Sequence, residues 1–157
     1  MLNRIRVYDM DGTIVSSLHR YRTIMVDGQE KIDLPYWREN STPEMIAKDS
    51  FLPLFEQYKS DLNDPTCYVI IATARVMSPA DWEFVDKMGA PDKFYSRPAG
   101  SDRRGADLKA SALRSLFSLR QFARILDRVF YEDNHDYLAI SDELGMVPVF
   151  VPSKQGH

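Results

Sequence analysis

Val7-Tyr8-Asp9-Met10-Asp11-Gly12-Thr13-Ile14-Val15 lies near the start of the chain and joins an apolar strand pattern to two carboxylates and a glycine. Polar and apolar side chains alternate over residues 4–8, which predicts a β-strand ending at Tyr8. Asp9 and Asp11 are two residues apart, so their side chains lean the same way on an extended backbone. Gly12 lets the chain turn where a Cβ would obstruct it. Because ligands of open α/β sheets bind at the carboxyl ends of strands, this pair predicts a functional site.

Two carboxylates in this position suit three kinds of chemistry. They can bind a hard cation such as Mg²⁺. One can attack a phosphate as a nucleophile, and the other can move a proton to and from the ester oxygen. Asp-Gly turns also occur after strands without any catalytic role, so this segment alone leaves both interpretations open.

The composition predicts one globular domain covering residues 1–157, since hydrophobic residues make up 44% of the chain and charged residues 27%. A net charge of −3 argues against a strongly basic nucleic-acid-binding protein. A single cysteine, Cys67, excludes an intrachain disulfide, and we expect a cytoplasmic location. No apolar run approaches the roughly 20 residues of a membrane helix, so no membrane partner is expected.

Strand and helix patterns alternate along the rest of the chain. Further strands are predicted at 67–72, 93–96, 128–131 and 147–151, and helices at 43–58, 78–89, 105–119 and around 137–144. This alternation predicts an α/β fold with a doubly wound parallel sheet. Pro148 suggests that the last strand lies at a sheet edge.

The segment between the first strand and the first helix is polar and irregular over residues 16–40. Its apolar part, residues 34–37, is interpreted as a flap or the base of a short hairpin. Ser41 is the predicted capping residue of the helix that follows, and Pro53 is expected to kink or split that helix.

Three predicted strands end in polar, reactive side chains, which parallel strands would bring to one edge of the sheet. These ends are Asp9 with Asp11, Thr73 with Arg75, and Glu132 with Asp133. For phosphoryl transfer, Thr73 would contact a phosphate oxygen and Lys109 would supply positive charge, while Asp133 with Glu132 nearby would complete a Mg²⁺ site. Each has a plain alternative as a helix cap or a solvated lysine.

Taken in order, these motifs resemble the haloacid dehalogenase superfamily of aspartate-nucleophile phosphatases. Asp9-x-Asp11-Gly12-Thr13 looks like its first motif, Thr73 its second, Lys109 its third and Glu132-Asp133 its fourth. The resemblance implies that Asp9 is the nucleophile and Asp11 the general acid/base. It also implies that Mg²⁺ is held by Asp9, the backbone carbonyl of Asp11 and Asp133.

The spacing of the motifs leaves no room for the large cap of many relatives, so we expect a capless or minimally capped enzyme. An open site favours large substrates, or a partner subunit serving as a lid, so an oligomer is compatible with the sequence.

Three arginines add a narrower resemblance, to the 3′-phosphatase domain of bacteriophage polynucleotide kinase. Arg20, Arg75 and Arg97 stand at positions where that domain has arginines lining its phosphate and nucleic-acid site. Together with Gly12 they are the substrate-binding candidates. The fourth motif departs from the pattern, because Asn134 follows Asp133 where the relative has an arginine.

The favoured hypothesis is a Mg²⁺-dependent phosphatase acting on a nucleotide or a polynucleotide 3′-phosphate end. Seven basic against two acidic residues over 97–124 would suit a phosphate backbone, or would simply form a solvated helix face. Two alternatives remain. One is a phosphatase for sugar phosphates or phosphoproteins, and the other is a non-catalytic module that binds phosphate or nucleic acid.

Overall fold

A five-stranded parallel sheet forms the centre of the computed structural model, which describes residues 1–153. Its strands are β1 (Arg4–Tyr8), β6 (Cys67–Ala72), β7 (Lys93–Tyr95), β8 (Asp127–Glu132) and β9 (Val147–Phe150), in the order β7-β6-β1-β8-β9. All four pairings are parallel. The predicted strands are confirmed, and β9 lies at an edge, as its proline suggested.

Helices cover both faces of the sheet, which confirms the doubly wound architecture. Alternate residues of β1 point into two separate cores. Ile5 and Val7 pack with α5 (Gly105–Phe117), α6 (Arg120–Ala123) and α7 (His135–Leu138). Tyr8 packs on the opposite face with α3 (Phe55–Leu62) and α4 (Pro79–Met88). With β1 in the middle of the sheet and covered on both sides, Asp9 emerges at the centre of the carboxyl edge.

An insert of residues 17–49, here called the arm, separates β2 (Val15–Ser16) from β5 (Ser50–Phe51), and these two short strands pair antiparallel. The arm holds one 3-10 turn (Leu18–Arg20), the hairpin β3 (Thr23–Val26) and β4 (Gln29–Ile32), and the helices α1 (Leu34–Glu39) and α2 (Pro43–Ile46). It is small, so the expectation of no large cap is confirmed.

Two sequence predictions in and around the arm are wrong, and a third is correct only in part. Residues 34–37 are neither a flap nor a hairpin base but the start of α1, because the Asp33 carboxylate caps that helix by accepting from the Tyr36 amide. Thr42, not Ser41, caps α2. The helix predicted over 43–58 is split in two, as was expected of Pro53, but the first part ends at Ile46, ahead of the proline, since Ser50 and Phe51 pair with β2 as β5.

The last predicted helix is also too long, since α7 ends at Leu138 and the chain continues in turns. By contrast, α4 starts and stops as expected, with a capping box between Ser78 and Asp81 and Gly89 as its C-cap. None of the helices within residues 1–153 combines the length and apolar character needed to span a membrane.

Candidate active site

The turn after β1 is tied together by its own backbone. The carbonyl of Met10 accepts the amides of Thr13, Ile14 and Val15 at 3.0–3.2 Å, and the Gly12 amide donates to the Val15 carbonyl at 2.8 Å. Gly12 has a φ of +79°, and a Cβ at this position would stand 2.1 Å from Asp133 Oδ2. A glycine is therefore required here both for the backbone conformation and for the close approach of Asp133.

Asp9 is fixed at the end of β1 by contacts to both carboxylate oxygens. Lys109 Nζ donates to Asp9 Oδ1 at 2.9 Å, and Thr13 Oγ1 donates to Asp9 Oδ2 at 3.1 Å. Lys109 Nζ also donates to Glu132 Oε2 at 2.6 Å. Asp9, Lys109 and Glu132 are all buried, so the structure brings the first, third and fourth predicted motifs into direct contact.

Charge within this buried group favours a protonated lysine. Burial by itself lowers the pKa of Lys109, but the charges of Asp9 and Glu132 outweigh it, so the pKa lies above that of an ordinary lysine. Burial and the charge of Asp9 raise the pKa of Glu132, and Lys109 opposes that shift. Lys109 therefore carries a positive charge at neutral pH beside the predicted nucleophile.

Three carboxylates are close enough together to hold a metal ion. Asp9, Glu132 and Asp133 each offer an oxygen, and these oxygens lie within 4.8 Å of one another. Glu132 accepts from Lys109 and, through Oε1, from the amides of Asp133 and Asn134. A set of carboxylate oxygens fits a hard divalent cation.

Asp11 lies outside that cluster and faces Arg75. The Arg75 guanidinium donates to both Asp11 oxygens, with Nε 3.0 Å from Oδ2, and Ser17 Oγ donates to Asp11 Oδ1 at 3.0 Å. Arg75 Nη1 also donates to Asp81 at 2.7 Å, and Nη2 approaches Asp49 at 3.5 Å. Burial lowers the pKa of Arg75, yet these carboxylates raise it overall, so the side chain is a fixed cation that orients Asp11.

Arg20 joins the site through Asp49 rather than through Asp9. It is fully buried and forms two hydrogen bonds to the Asp49 carboxylate, at 2.9 and 2.8 Å. The ring of Trp37 stacks on its guanidinium at 4.2 Å. Arg20 thus connects the arm to the network that holds Arg75, and its predicted contact with substrate stays a prediction.

Arg97 and Thr73 support neighbouring loops. Arg97 donates to the carbonyls of Ala74 (2.9 Å), Ser101 (3.2 Å) and Arg103 (2.5 Å). The Thr73 amide donates to the Tyr95 carbonyl, and its hydroxyl accepts from the Arg75 amide at 3.1 Å. The substrate contacts expected of Arg97, Thr73 and Gly12 remain predictions.

The excess of basic residues over 97–124 is partly compensated by acidic neighbours. Arg104 pairs with Asp107 at 3.1 Å, and Arg114 pairs with Glu143 at 2.9 Å. Since Arg97 is also engaged with backbone carbonyls, this surface presents less uncompensated positive charge than the sequence count indicates.

Several residues of the site were missed by the sequence analysis. They are Ser17, Tyr21, Asp49, Asp81, Tyr137 and Ser153, while Thr13 was quoted in the first motif without a role. Asp81 carried a readable signal, because Ser78-Pro79-Ala80-Asp81 is a capping-box pattern. Tyr21 lies near the charges of Asp133 and Asp11, and mainly burial raises its pKa to about 12. The ring of Tyr137 covers Lys109 Nζ at 4.5 Å, and nothing in the local sequence indicated that contact.

Comparison with known proteins shows a matching family, a curated relative and a solved structure of the same fold. The family described as Bacteriophage T5 5′-deoxynucleotidase matches residues 1–94. The 5′-deoxynucleotidase of Escherichia phage T5 is 35% identical over 89 residues, which cover 56% of this chain and 36% of the phage protein. The chain thus spans about a third of the length of that curated relative.

A chain in the solved structure of the Pnkp1/Rnl/Hen1 RNA repair complex has the same fold, with a TM-score of 0.61. The similarity covers 97% of this chain and 43% of the other, at 16% sequence identity. At that identity the match supports the Rossmann-like α/β core alone.

Proposed function

The chain belongs to the bacteriophage T5 5′-deoxynucleotidase family, and we propose that it is a Mg²⁺-dependent phosphatase that removes the phosphate of nucleotides through an aspartyl-phosphate on Asp9. The proposal extends the haloacid dehalogenase resemblance of the motifs to the whole chain, taken as one phosphatase domain over residues 1–157.

The contact that supports this proposal most strongly is the ion pair between Lys109 and Asp9. A nucleophilic carboxylate must present a lone pair to phosphorus while facing an anionic phosphate. Lys109 Nζ at 2.9 Å and Thr13 Oγ1 at 3.1 Å orient the two oxygens of Asp9. The lysine also supplies positive charge where the negative charge of the transition state develops.

The first chemical step is attack of an Asp9 oxygen on phosphorus. A bond forms between that oxygen and phosphorus as the bond from phosphorus to the nucleoside oxygen breaks, and Asp11 gives a proton to the departing oxygen. In the second step Asp11 takes a proton from water, whose oxygen attacks phosphorus. Inorganic phosphate leaves and the Asp9 carboxylate is restored.

Arg75 and Ser17 orient Asp11 for this exchange. Each carboxylate oxygen can accept two hydrogen bonds, so these contacts leave room for a bond to the ester oxygen. Lys109 and the hydroxyl of Thr73 would neutralise charge on the oxygens of the phosphoryl group.

A Mg²⁺ ion would be held by Asp9, Asp133 and the backbone carbonyl of Asp11, with Glu132 beside it. Its chemistry would be to offset the repulsion between an anionic carboxylate and an anionic phosphate. The close approach of Asp133 to Gly12, which excludes any Cβ, is the feature of this chain that supports such a site.

Deoxynucleoside 5′-monophosphates are the proposed substrates, from the activity that the phage relative is named for. A polynucleotide 3′-phosphate end is the second candidate, supported by the arginine positions that resemble the 3′-phosphatase domain. The engagement of Arg20 and Arg97 by Asp49 and by backbone carbonyls favours the mononucleotide.

The proposal includes the cellular location and the oligomeric state of the enzyme. A cytoplasmic location is consistent with one cysteine, Cys67, which is buried. The open carboxyl edge is also compatible with an oligomer in which a second subunit covers the site.

Phosphate release with Mg²⁺ and with a chelator tests the proposed function. The panel contains deoxynucleoside 5′-monophosphates, 3′- and 5′-phosphorylated oligonucleotides, sugar phosphates and a phosphopeptide. We expect Mg²⁺-dependent release chiefly from the mononucleotides. Release chiefly from a 3′-phosphorylated oligonucleotide would favour the second candidate, and release chiefly from sugar phosphates or phosphopeptide would overturn the nucleotide assignment.

A folded, Mg²⁺-binding protein that releases phosphate from no member of the panel would instead support a non-catalytic phosphate-binding module.

A further inference from the structure

A groove of about 240 Å³ lies between β7 and α5 and reaches Thr73 and Lys109 at one end. We propose that this groove, here called the α5 groove, binds the nucleoside of a mononucleotide substrate and that Arg103 is its specificity-determining side chain. The inference rests on the proposed function, since it assumes that the phosphate is bound at Asp9.

The position of the α5 groove links it to the reacting atoms. Lys109 lines the groove, and its Nζ is 2.9 Å from Asp9 Oδ1. Thr73, the second predicted phosphate contact, lines the same end. A group esterified to a phosphate between these two residues can therefore extend directly into the groove.

The size of the α5 groove limits what it can hold. Sites for drug-sized ligands usually measure about 300–1,000 Å³, and this groove is slightly smaller. That volume suits one base with its sugar and is too small for several nucleotides of a strand. A strand would have to leave the groove after its terminal residue.

The lining of the α5 groove combines an aromatic ring with hydrogen-bonding groups. Tyr95 offers a ring on which a base can stack, a contact worth roughly 1–3 kcal/mol per base in single-stranded nucleic-acid sites. Ser96, Ser111 and Ser115 line the groove with hydroxyl groups. A nucleoside has both a flat apolar face and polar edges, so it matches this mixture better than a sugar phosphate or an aliphatic ester.

Arg103 is the cation of the α5 groove that is available to a ligand. It is exposed, and across residues 1–153 no carboxylate lies within salt-bridge distance of its guanidinium. Arg104, the next residue, is by contrast paired with Asp107. Arg97 fixes the loop by donating to the Arg103 carbonyl, and thereby positions Arg103 without needing to contact substrate itself.

A larger cleft, of about 730 Å³, is the alternative candidate for the nucleoside site. It is lined mainly by aliphatic side chains and prolines, including Leu18, Leu52, Pro53 and Leu54. Within the described part of the chain it meets the site at Thr13 and Ser153, which contact Asp9 and Asp133. Among the described residues its polar side chains are Gln57 and three hydroxyl groups, so within residues 1–153 the lining of this cleft offers neither a cation nor an aromatic ring to a nucleoside.

Two substitutions test the groove through steady-state kinetics. Arg103→Ala removes the guanidinium, and Ala112→Leu fills the groove from the half-buried face of α5. We expect Arg103→Ala to raise KM for deoxynucleoside 5′-monophosphates about tenfold, the loss of one charged hydrogen bond, and Ala112→Leu to raise the same KM because the larger side chain occupies the space of the nucleoside. The kinetic constants for glycerol phosphate should not follow these changes. Arg114→Ala is the matched control, because Arg114 lies on the same helix outside the groove.

Two kinetic outcomes would overturn the inference. Equal losses for glycerol phosphate and nucleotides would mean that the groove serves the phosphate. If Arg103→Ala and Ala112→Leu had no effect while Leu18→Trp raised KM, the larger cleft would be the nucleoside site. Circular dichroism of each variant excludes misfolding as the cause.

Calorimetric titration with a deoxynucleoside separates this inference from the proposed function. The product binds without any chemistry, so wild-type protein should bind it about tenfold more tightly than the Arg103→Ala variant even if no phosphatase activity were found. Equal affinities for the two proteins would overturn the groove assignment while leaving the catalytic proposal intact.

Discussion

Lys109 and Asp9 lie 100 positions apart in the sequence and form a buried ion pair of 2.9 Å at the base of the site. The same lysine binds Glu132 at 2.6 Å, so one ammonium group compensates two carboxylates. Removing it would take the ammonium charge away from two buried carboxylates, which makes Lys109 important for stability as well as for the proposed chemistry.

Lys109→Met should therefore lower the free energy of unfolding by roughly 3–5 kcal/mol, the usual cost of breaking a buried ion pair from one side. Adding Glu132→Gln to the same protein should recover part of the lost unfolding free energy, because a neutral amide then replaces one of the two buried carboxylates. Denaturant unfolding of the single and double variants measures both effects. A Lys109→Met variant as stable as the wild-type protein would contradict the conclusion that Lys109 compensates the buried charges of Asp9 and Glu132.

Gly12→Ala should destabilise the protein and weaken its affinity for Mg²⁺. Its Cβ would meet Asp133 Oδ2 at 2.1 Å in a backbone conformation of φ +79°. Gly28→Ala is the matched control, since Gly28 has a φ of +77° with no atom within 4 Å of the added Cβ. The control should cost about 1–2 kcal/mol from backbone strain alone, and Gly12→Ala should cost more.

Thermal unfolding and Mg²⁺ titration compare the two glycine variants. Equal losses of stability together with unchanged Mg²⁺ affinity would show that the contact between Gly12 and Asp133 has no role in the metal site.

Arg20→Ala should destabilise the arm and its attachment to the sheet edge. Arg20 is buried and bonded to Asp49 through two nitrogens, so truncation removes two short hydrogen bonds of the buried Asp49 carboxylate and leaves it the longer contacts to Arg75 and His19 at 3.5 Å. We expect a loss of roughly 3–5 kcal/mol and faster hydrogen exchange over residues 17–49. Arg22→Ala, which breaks a more exposed pair with Asp33, is the control and should cost below about 1 kcal/mol. A loss of activity with unchanged stability would assign Arg20 to substrate binding instead.

Asp64 should make stability fall at acidic pH. Hydrogen bonds from Thr66 and then from Arg4 lower its pKa from 3.8 to about 2. Because the folded state binds the proton less tightly, the stabilisation is present above pH 4 and is lost as the pH falls towards 2. Asp64→Asn should flatten this part of the stability profile, and Asp86→Asn, on the exposed face of α4, should not. If the stability of the Asp64→Asn variant fell with pH as it does in the wild-type protein, Asp64 would not be the group responsible.

The sequence predicted the sheet edge well because its determinants are local. Asp9, Thr73 and Asp133 each follow a predicted strand. A parallel sheet brings the ends of such strands to one edge, independently of the conformation of the connecting loops. Lys109 could be anticipated only through the motif resemblance, since lysines are common on helices and nothing local marks this one as buried.

The arm was poorly predicted because its contacts are distant in sequence. Ser50 and Phe51 form a strand only by pairing with Val15 and Ser16, and no periodicity in two residues can reveal that. The hydrogen bond between Arg20 and Asp49 could not be predicted from local sequence either, since it joins two polar residues 29 positions apart. The helix at residues 34–39 is different, because its start is marked locally by Asp33, a favourable N-cap residue, and by Pro35 in the first turn.

Acid quenching during turnover tests the identity of the nucleophile most directly. Wild-type protein is mixed with Mg²⁺ and a deoxynucleoside 5′-monophosphate, quenched within one turnover, digested and mapped by mass spectrometry. We expect one phosphoryl group on the peptide that contains Asp9, and we expect Asp9→Asn to lose both this adduct and roughly a thousandfold or more of the phosphate release. Normal phosphate release by a folded Asp9→Asn variant would contradict the assignment of Asp9 as the nucleophile.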